Sequence, residues 1–149
     1  MSGVEKPNNI RTVLHEILRP ITTRMAVATS GGIDSASIVM AAKDLDKKQT
    51  VVSFTFDDFE SHDFKSARLL AKHFNLDFLP VILPSDQNEI VETVHYLIKE
   101  IKCKKKSAIE CMFPFVYLLK VLKENKIKTL VTGLAADGHF GLSKKAMIH

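Results

Sequence analysis

Residues 25 to 35 read Met-Ala-Val-Ala-Thr-Ser-Gly-Gly-Ile-Asp-Ser, and the order of residue types in this stretch decides the fold. Met25 to Thr29 is a short apolar run that reads as a buried strand. A helical period starts at Ile33, with apolar residues at 33, 36, 40, 41 and 45. Between strand and helix lie Ser30, Gly31 and Gly32. Two glycines let the chain turn tightly and let a ligand approach the backbone with no Cβ in the way. The amide hydrogens of this turn and of the first helical turn converge, and the positive end of the helix dipole reinforces them, so the place suits a phosphate. Ser30 and Ser35 add hydroxyl donors, and the carboxylate of Asp34 suits an anion site once Mg²⁺ is included as its partner. No lysine follows the glycines, so this is not a Walker loop. The plainer reading, a strand-to-helix turn that favours glycine, leaves Asp34 and its two flanking serines without a reason.

The alternation continues in both composition and period. Thr50 to Phe56 is β-branched and aromatic, a second strand. Ser61 can cap a helix whose apolar face is Phe64, Ala67, Ala71 and Phe74. Phe78 to Leu83 is a third strand, and Pro80 requires it to lie near an edge or bulge. Asp86 and Glu89 form a capping-box pair before a helix with Ile90, Val94, Leu97 and Ile101 on one face. The basic run Lys102 to Lys106, interrupted by Cys103, is expected to end a helix, where cations meet the negative end of the dipole. Pro114 is expected in the first turn of a further helix running to about Asn125. Lys128 to Thr132 is a fourth strand, stopped by Gly133. Strands alternating with helices predict an α/β fold with a parallel sheet and helices on both faces. Ligands of such sheets bind beyond the carboxyl ends of the strands, where polar clusters fall at residues 30–35, 57–62 and 133–143.

The 149 residues predict one domain, 1–149, with residues 1–20 as a helical lead-in. Hydrophobic residues at 46% and charged residues at 26% describe a globular chain rather than a disordered one. Lys and Arg number 21 against 17 acids, a net charge of +4, which fits either a solvated surface or a preference for anionic ligands. Cys103 and Cys111 are too few for a disulfide framework or a zinc site, so free thiols and a reducing, cytoplasmic location are expected. No apolar run has membrane length, and the polar stretch Met1 to Arg11 lacks the core of a signal peptide.

The stretch Ser-Gly-Gly-Ile-Asp-Ser resembles the PP-loop of the ATP pyrophosphatase superfamily. That resemblance implies the adenine nucleotide alpha-hydrolase-like three-layer sandwich. It also implies cleavage of ATP to AMP and pyrophosphate, with adenylation of a carboxyl or carbonyl acceptor that an amine, ammonia or sulfur nucleophile then attacks. Residues 130 to 143, Leu-Val-Thr-Gly-Leu-Ala-Ala-Asp-Gly-His-Phe-Gly-Leu-Ser, look like the strand and loop of asparagine synthetase-type domains. Ser53 to Phe56 and the leucines Leu118 and Leu119 also fit that branch. The resemblance implies that Ser30, Gly31, Gly32, Asp34 and Ser35 hold the pyrophosphate half of ATP. By the same resemblance Thr29, Phe56 and Gly133 line the adenine and ribose, and Asp34 and Asp137 bind Mg²⁺. The implied catalytic set is Asp34, Asp137 and Lys144, the last with the alternative of a solvated tail shared with Lys145.

Three departures bear on the chemistry. Leu134 and Gly138 stand where the family carries acids. Residue 2 is Ser2 and the phosphate loop begins by Ser30, so no glutaminase domain is expected within the chain. His139, beside Asp137, is either an acid–base group or a polar loop residue. Asp57, Asp58 and Glu60 are either turn and cap acids or ligands for a second metal or an amine. His62, His73 and His95 have no partners at ligand spacing, and Phe113, Phe115 and Tyr117 read as core or interface. Three functions follow: an asparagine synthetase-like ligase for a small acid, an enzyme modifying tRNA or a nucleobase, and an ATP- or AMP-binding module without turnover. The lack of a Cys-x-x-Cys pair weighs against nucleic acid, and a homodimer is compatible with a small open sheet.

Overall fold

The computed structural model describes residues 9–133. The elements run α1 (Ile10–Leu18), β1 (Met25–Ala28), α2 (Ile33–Asp44), β2 (Gln49–Phe56), α3 (His62–His73), β3 (Asp77–Leu83), α4 (Gln87–Lys99), α5 (Lys106–Glu124) and β4 (Thr129–Thr132). The strands form one parallel sheet in the order β3-β2-β1-β4. Val27 of β1 lies opposite Val51 of β2 on one side and Val131 of β4 on the other. Asn9 and Ser61 cap α1 and α3 through their side chains, and Asp86 caps α4 by accepting from the Glu89 amide at 3.0 Å.

The apolar run at β1 is explained by its central place, which leaves Met25, Ala26 and Val27 with no exposure at all. Alternate residues of a strand face opposite sides. Met25 and Val27 pack with Leu18, Ile38, Val39, Ala41, Ala42, Ala67 and Ala71, so α1, α2 and α3 cover one face. Ala26 and Val52 pack with Tyr117, Leu118 and Leu122, so α5 covers the other. Helices on both faces of a parallel sheet are therefore present as expected. Pro80 sits on β3, the edge strand, where its missing N–H breaks no ladder on the open side.

Three local expectations are corrected. The buried face of α2 is Ser35, Ile38, Val39, Ala41 and Ala42, while Ile33 and Met40 are exposed. The helix is apolar on several sides, so its orientation is set by the docking of the loop before it rather than by period. The lysine run does not end a helix. Lys102 takes a left-handed conformation (φ 62°) and the Cys103 amide reaches back to the Leu97 carbonyl at 3.0 Å, which closes α4 before the run. Lys105 and Lys106 instead begin α5, with no side-chain cap and no acid in the first turn. Pro114 then lies well inside α5 rather than in its first turn. The missing hydrogen bond there is offset by packing on both sides, with Phe113 against Tyr117 at 5.4 Å and Phe115 against Phe54 at 6.0 Å.

Candidate functional site

The connection from β1 to β2 leaves to one side of β1, and β4 returns to the other. A crevice opens at the carboxyl ends of strands where the order reverses in this way. The stretch 30–35 sits at that point, because it joins β1 directly to α2. Gly31 has φ +78°, and a Cβ there would collide with Ser66 Cβ and approach the Ala67 amide nitrogen at 3.1 Å. Gly31 therefore serves both the turn and the close seating of the loop on α3. Gly32 is the N-cap of α2 in an extended conformation and supplies no side-chain cap, so the amides of the first turn are left for a ligand.

A cleft of about 510 Å³ lies over this turn. Its walls include Thr29, Ser30, Gly32, Asp34, Ser35, Phe56 and Gly133 from the expected set. Gly31 does not line it and instead faces α3. Asp137 and Lys144 lie outside the described residues, as do Leu134, Gly138 and His139. Gly133 packs against the loop from β4: a Cβ there would sit 3.6 Å from both Asp34 Cβ and the Ser35 amide nitrogen. The two polar segments thus meet although they lie at opposite ends of the described chain.

The side chains differ in how far they are committed locally. Ser30 Oγ accepts from the Gly32 amide at 3.3 Å, and the buried Ser35 hydroxyl donates to the Gly32 carbonyl at 3.1 Å. The carboxylate of Asp34 is exposed and has no ion pair or hydrogen bond among the described residues. No group of three or more His, Cys, Asp or Glu among those residues could by itself hold a metal. A single carboxylate suits Mg²⁺, which fills its octahedron with waters and substrate phosphates rather than with a protein cage.

The acidic cluster after β2 is engaged elsewhere. Ser85 donates to Asp57 and, at 3.2 Å, to Asp58, while Glu60 forms a two-point pair with Arg68 at 2.7 and 2.9 Å. Ser61, from the polar cluster at 57–62, also lines the cleft, and sequence reasoning missed Ala28, Ser53, Phe54, Thr55, Asp63, Leu83, Phe115 and Thr132 as cleft residues. Phe115 carries no local signal for this, since it comes from the middle of α5 and also packs on Phe54. Cys103 and Cys111 are free, and no helix among the described residues is long and apolar enough to cross a membrane.

The asparagine synthase family model matches residues 22–145, most of the chain and all of the cleft-forming segments. The chain belongs to the asparagine synthase family. No curated protein sequence matches it. A similar solved structure is the NH3-dependent NAD synthetase of Campylobacter jejuni in complex with the nitrate ion, with 14% identity and a TM-score of 0.52. The match covers 83% of this chain and 52% of the synthetase chain, so the chain spans about half the length of that neighbour. At that identity the likeness concerns the fold, which is that of the PP-loop nucleotide alpha-hydrolases. Family and fold together support an ATP-utilising PP-loop domain.

Proposed function

We propose that this domain of the asparagine synthase family binds Mg²⁺–ATP in the cleft over residues 30–35. There it would direct cleavage between the α and β phosphates toward adenylation of a carboxyl or carbonyl acceptor. The observation that supports this reading is the meeting of an uncapped α2 N-terminus with Gly133 at the β1–β4 switch point. Converging amides, a dipole and an absent Cβ on the facing strand leave room and charge for a polyphosphate.

In this reading the amides after Gly32 hold the β and γ phosphates, and the acceptor oxygen attacks the α phosphorus. The bond from that phosphorus to the bridging oxygen breaks, and pyrophosphate leaves with its charge facing the amides. An amine or ammonia then attacks the adenylated carbon and AMP departs. Asp34 would hold Mg²⁺, with Asp137 as a second carboxylate, and the ion would neutralise charge on the leaving pyrophosphate. The apolar wall of Phe54, Phe56, Leu83 and Phe115 suits a flat base and excludes water from one side of the cleft.

Pyrophosphate release tests this directly. Incubation with Mg²⁺–ATP and a panel of small carboxylic acids, with ammonium as nucleophile, is expected to release pyrophosphate and AMP in equal amounts. Release that occurs only after RNA is added would move the acceptor to nucleic acid. ATP binding with no pyrophosphate under any condition would reduce the domain to a nucleotide-binding module.

A further inference from the structure

The net charge of the chain is concentrated at one corner of the fold. Residues 99–106, Lys-Glu-Ile-Lys-Cys-Lys-Lys-Lys, hold five lysines and one glutamate, and the other 141 residues carry 16 basic and 16 acidic side chains. The whole excess of +4 therefore lies in the turn from α4 into α5. The side chains of Lys99, Lys102, Lys104 and Lys105 are exposed and make no ion pair or hydrogen bond among the described residues. Lys106 has an exposed pair with Glu110 at 3.6 Å. The fold gains little from this placement. Lys102 is left-handed at φ 62°, where glycine or asparagine is usual. Lys105 and Lys106 stand at the positive end of the dipole of a 19-residue helix, whose first turn has no side-chain cap and no acid. Mutually repelling cations gathered at one spot are suited to an anionic partner.

The side chains beside the lysines narrow that partner. Tyr96, Ile98 and Ile101 around the end of α4, and Met112 on α5, are large apolar groups between 38% and 47% exposed. Ile101 and Met112 also line an apolar groove of about 470 Å³ between the two helices. Aliphatic groups interleaved with lysines fit the boundary of a lipid bilayer, where ammonium groups meet anionic headgroups and apolar side chains enter the acyl region. Tyr96 adds a ring of the kind that settles at headgroup level. A nucleic acid is held differently, by guanidinium forks and stacked rings. No arginine and no aromatic residue lies from position 97 to position 112.

We propose that the α4–α5 corner is a docking surface for an anionic lipid bilayer, with its lysines on the headgroups and Ile98 and Ile101 entering the acyl boundary. This contact is independent of the nucleotide reading of the cleft. The test is cosedimentation of the full chain with vesicles of phosphatidylcholine alone and of phosphatidylcholine mixed with phosphatidylserine. Binding is expected only to the mixed vesicles, and it falls as salt is raised, because exposed charges are screened. The double substitution of Lys104→Gln with Lys105→Gln is expected to weaken it by about thirtyfold, roughly fivefold for each lysine near such a surface. The double variant is expected to melt no lower than the wild type, since a lysine at the start of α5 opposes the helix dipole. Ile98→Ser, at an exposed position, is expected to weaken vesicle binding by about fivefold through the lost apolar contact. Equal binding to both kinds of vesicle, no binding to the mixed ones, or a double variant that binds like the wild type would overturn the proposal. So would tighter binding to polyuridylate than to the mixed vesicles, which would make the corner a nucleic-acid surface. Unchanged vesicle binding by Ile98→Ser would also overturn it, leaving only adsorption of charge.

Discussion

Asp34 and Gly31 stand three residues apart and contribute in different ways. Gly31 is required by the fold: its positive φ is unfavourable for any other residue and its missing Cβ lets the loop seat on Ser66 and Ala67. Asp34 is required by nothing in the fold that the described residues show, since its carboxylate is exposed and unpaired. An acid in the first turn of α2 gains only about 0.3–1 kcal/mol from the helix dipole. Asp34→Ala is therefore expected to leave the melting temperature of the free protein within a few degrees of wild type and to remove the Mg²⁺-dependent part of ATP binding. Calorimetric titration with and without Mg²⁺ checks this, and an Asp34→Ala protein whose ATP affinity still depends on Mg²⁺ would remove Asp34 from the metal site. The residue types of this turn were readable from the sequence because their requirements are local: positive φ, a missing Cβ, a carboxylate beside amides. The internal use of the Ser35 hydroxyl was not, because it depends on which rotamer the packed helix allows.

Among the elements, α4 and α5 meet through a buried hydrogen bond between Thr93 and Tyr117, 2.8 Å between oxygens. Desolvation raises the Tyr117 pKa above its ordinary 10.0, with the Thr93 bond opposing and Glu89 adding to the rise. The neutral phenol is the form the fold favours, so this contribution is fully present below the unfolded-state pKa and is lost as pH rises through the higher folded value. Tyr117→Phe is expected to cost about 1–3 kcal/mol by leaving Thr93 unpaired, and Thr93→Val within Tyr117→Phe to recover most of it. Urea denaturation of the two singles and the double gives the cycle, and additive losses would show that the pair is not coupled. The strand-side ends of three helices share another device. Asp46, Asn75 and Lys126 are left-handed, and the next amide in each case bonds the carbonyl five residues back: Lys47 to Ala42, Leu76 to Ala71 and Ile127 to Leu122. None of these positions is glycine, so the turns were not marked by the residue that usually signals them.

Across the whole molecule, the cleft depends on the sheet order. Gly133 meets Asp34 because β4 pairs with β1 rather than with β3, its predecessor in the sheet sequence. A ligand that bridges the α2 N-terminus and the β4 end holds together segments from both ends of the described chain. Binding only to the folded state adds about 2.7 kcal/mol at a hundredfold excess over Kd. Mg²⁺–ATP is therefore expected to raise the melting temperature by roughly 5–10 °C for a chain of this size. Differential scanning calorimetry across an ATP series measures it, and a midpoint indifferent to ATP would mean that the nucleotide does not engage the folded cleft.

The sequence by itself determined the strand–loop–helix at residues 25–44, the parallel α/β class, the need for Pro80 to lie near an edge or bulge, and the caps at Ser61 and Asp86. Each of these follows from interactions within a few residues or from a period along one element. Tertiary structure decided which side of α2 is buried, where the lysine run falls, that Pro114 lies inside a helix, and that Phe115 and Ser53 face the cleft. Those outcomes turn on how elements distant in the chain dock, and apolar residues on several sides of a helix permit more than one docking until the sheet selects it. The phosphate loop was therefore visible before the fold. The walls around it became visible only after the strands were in order.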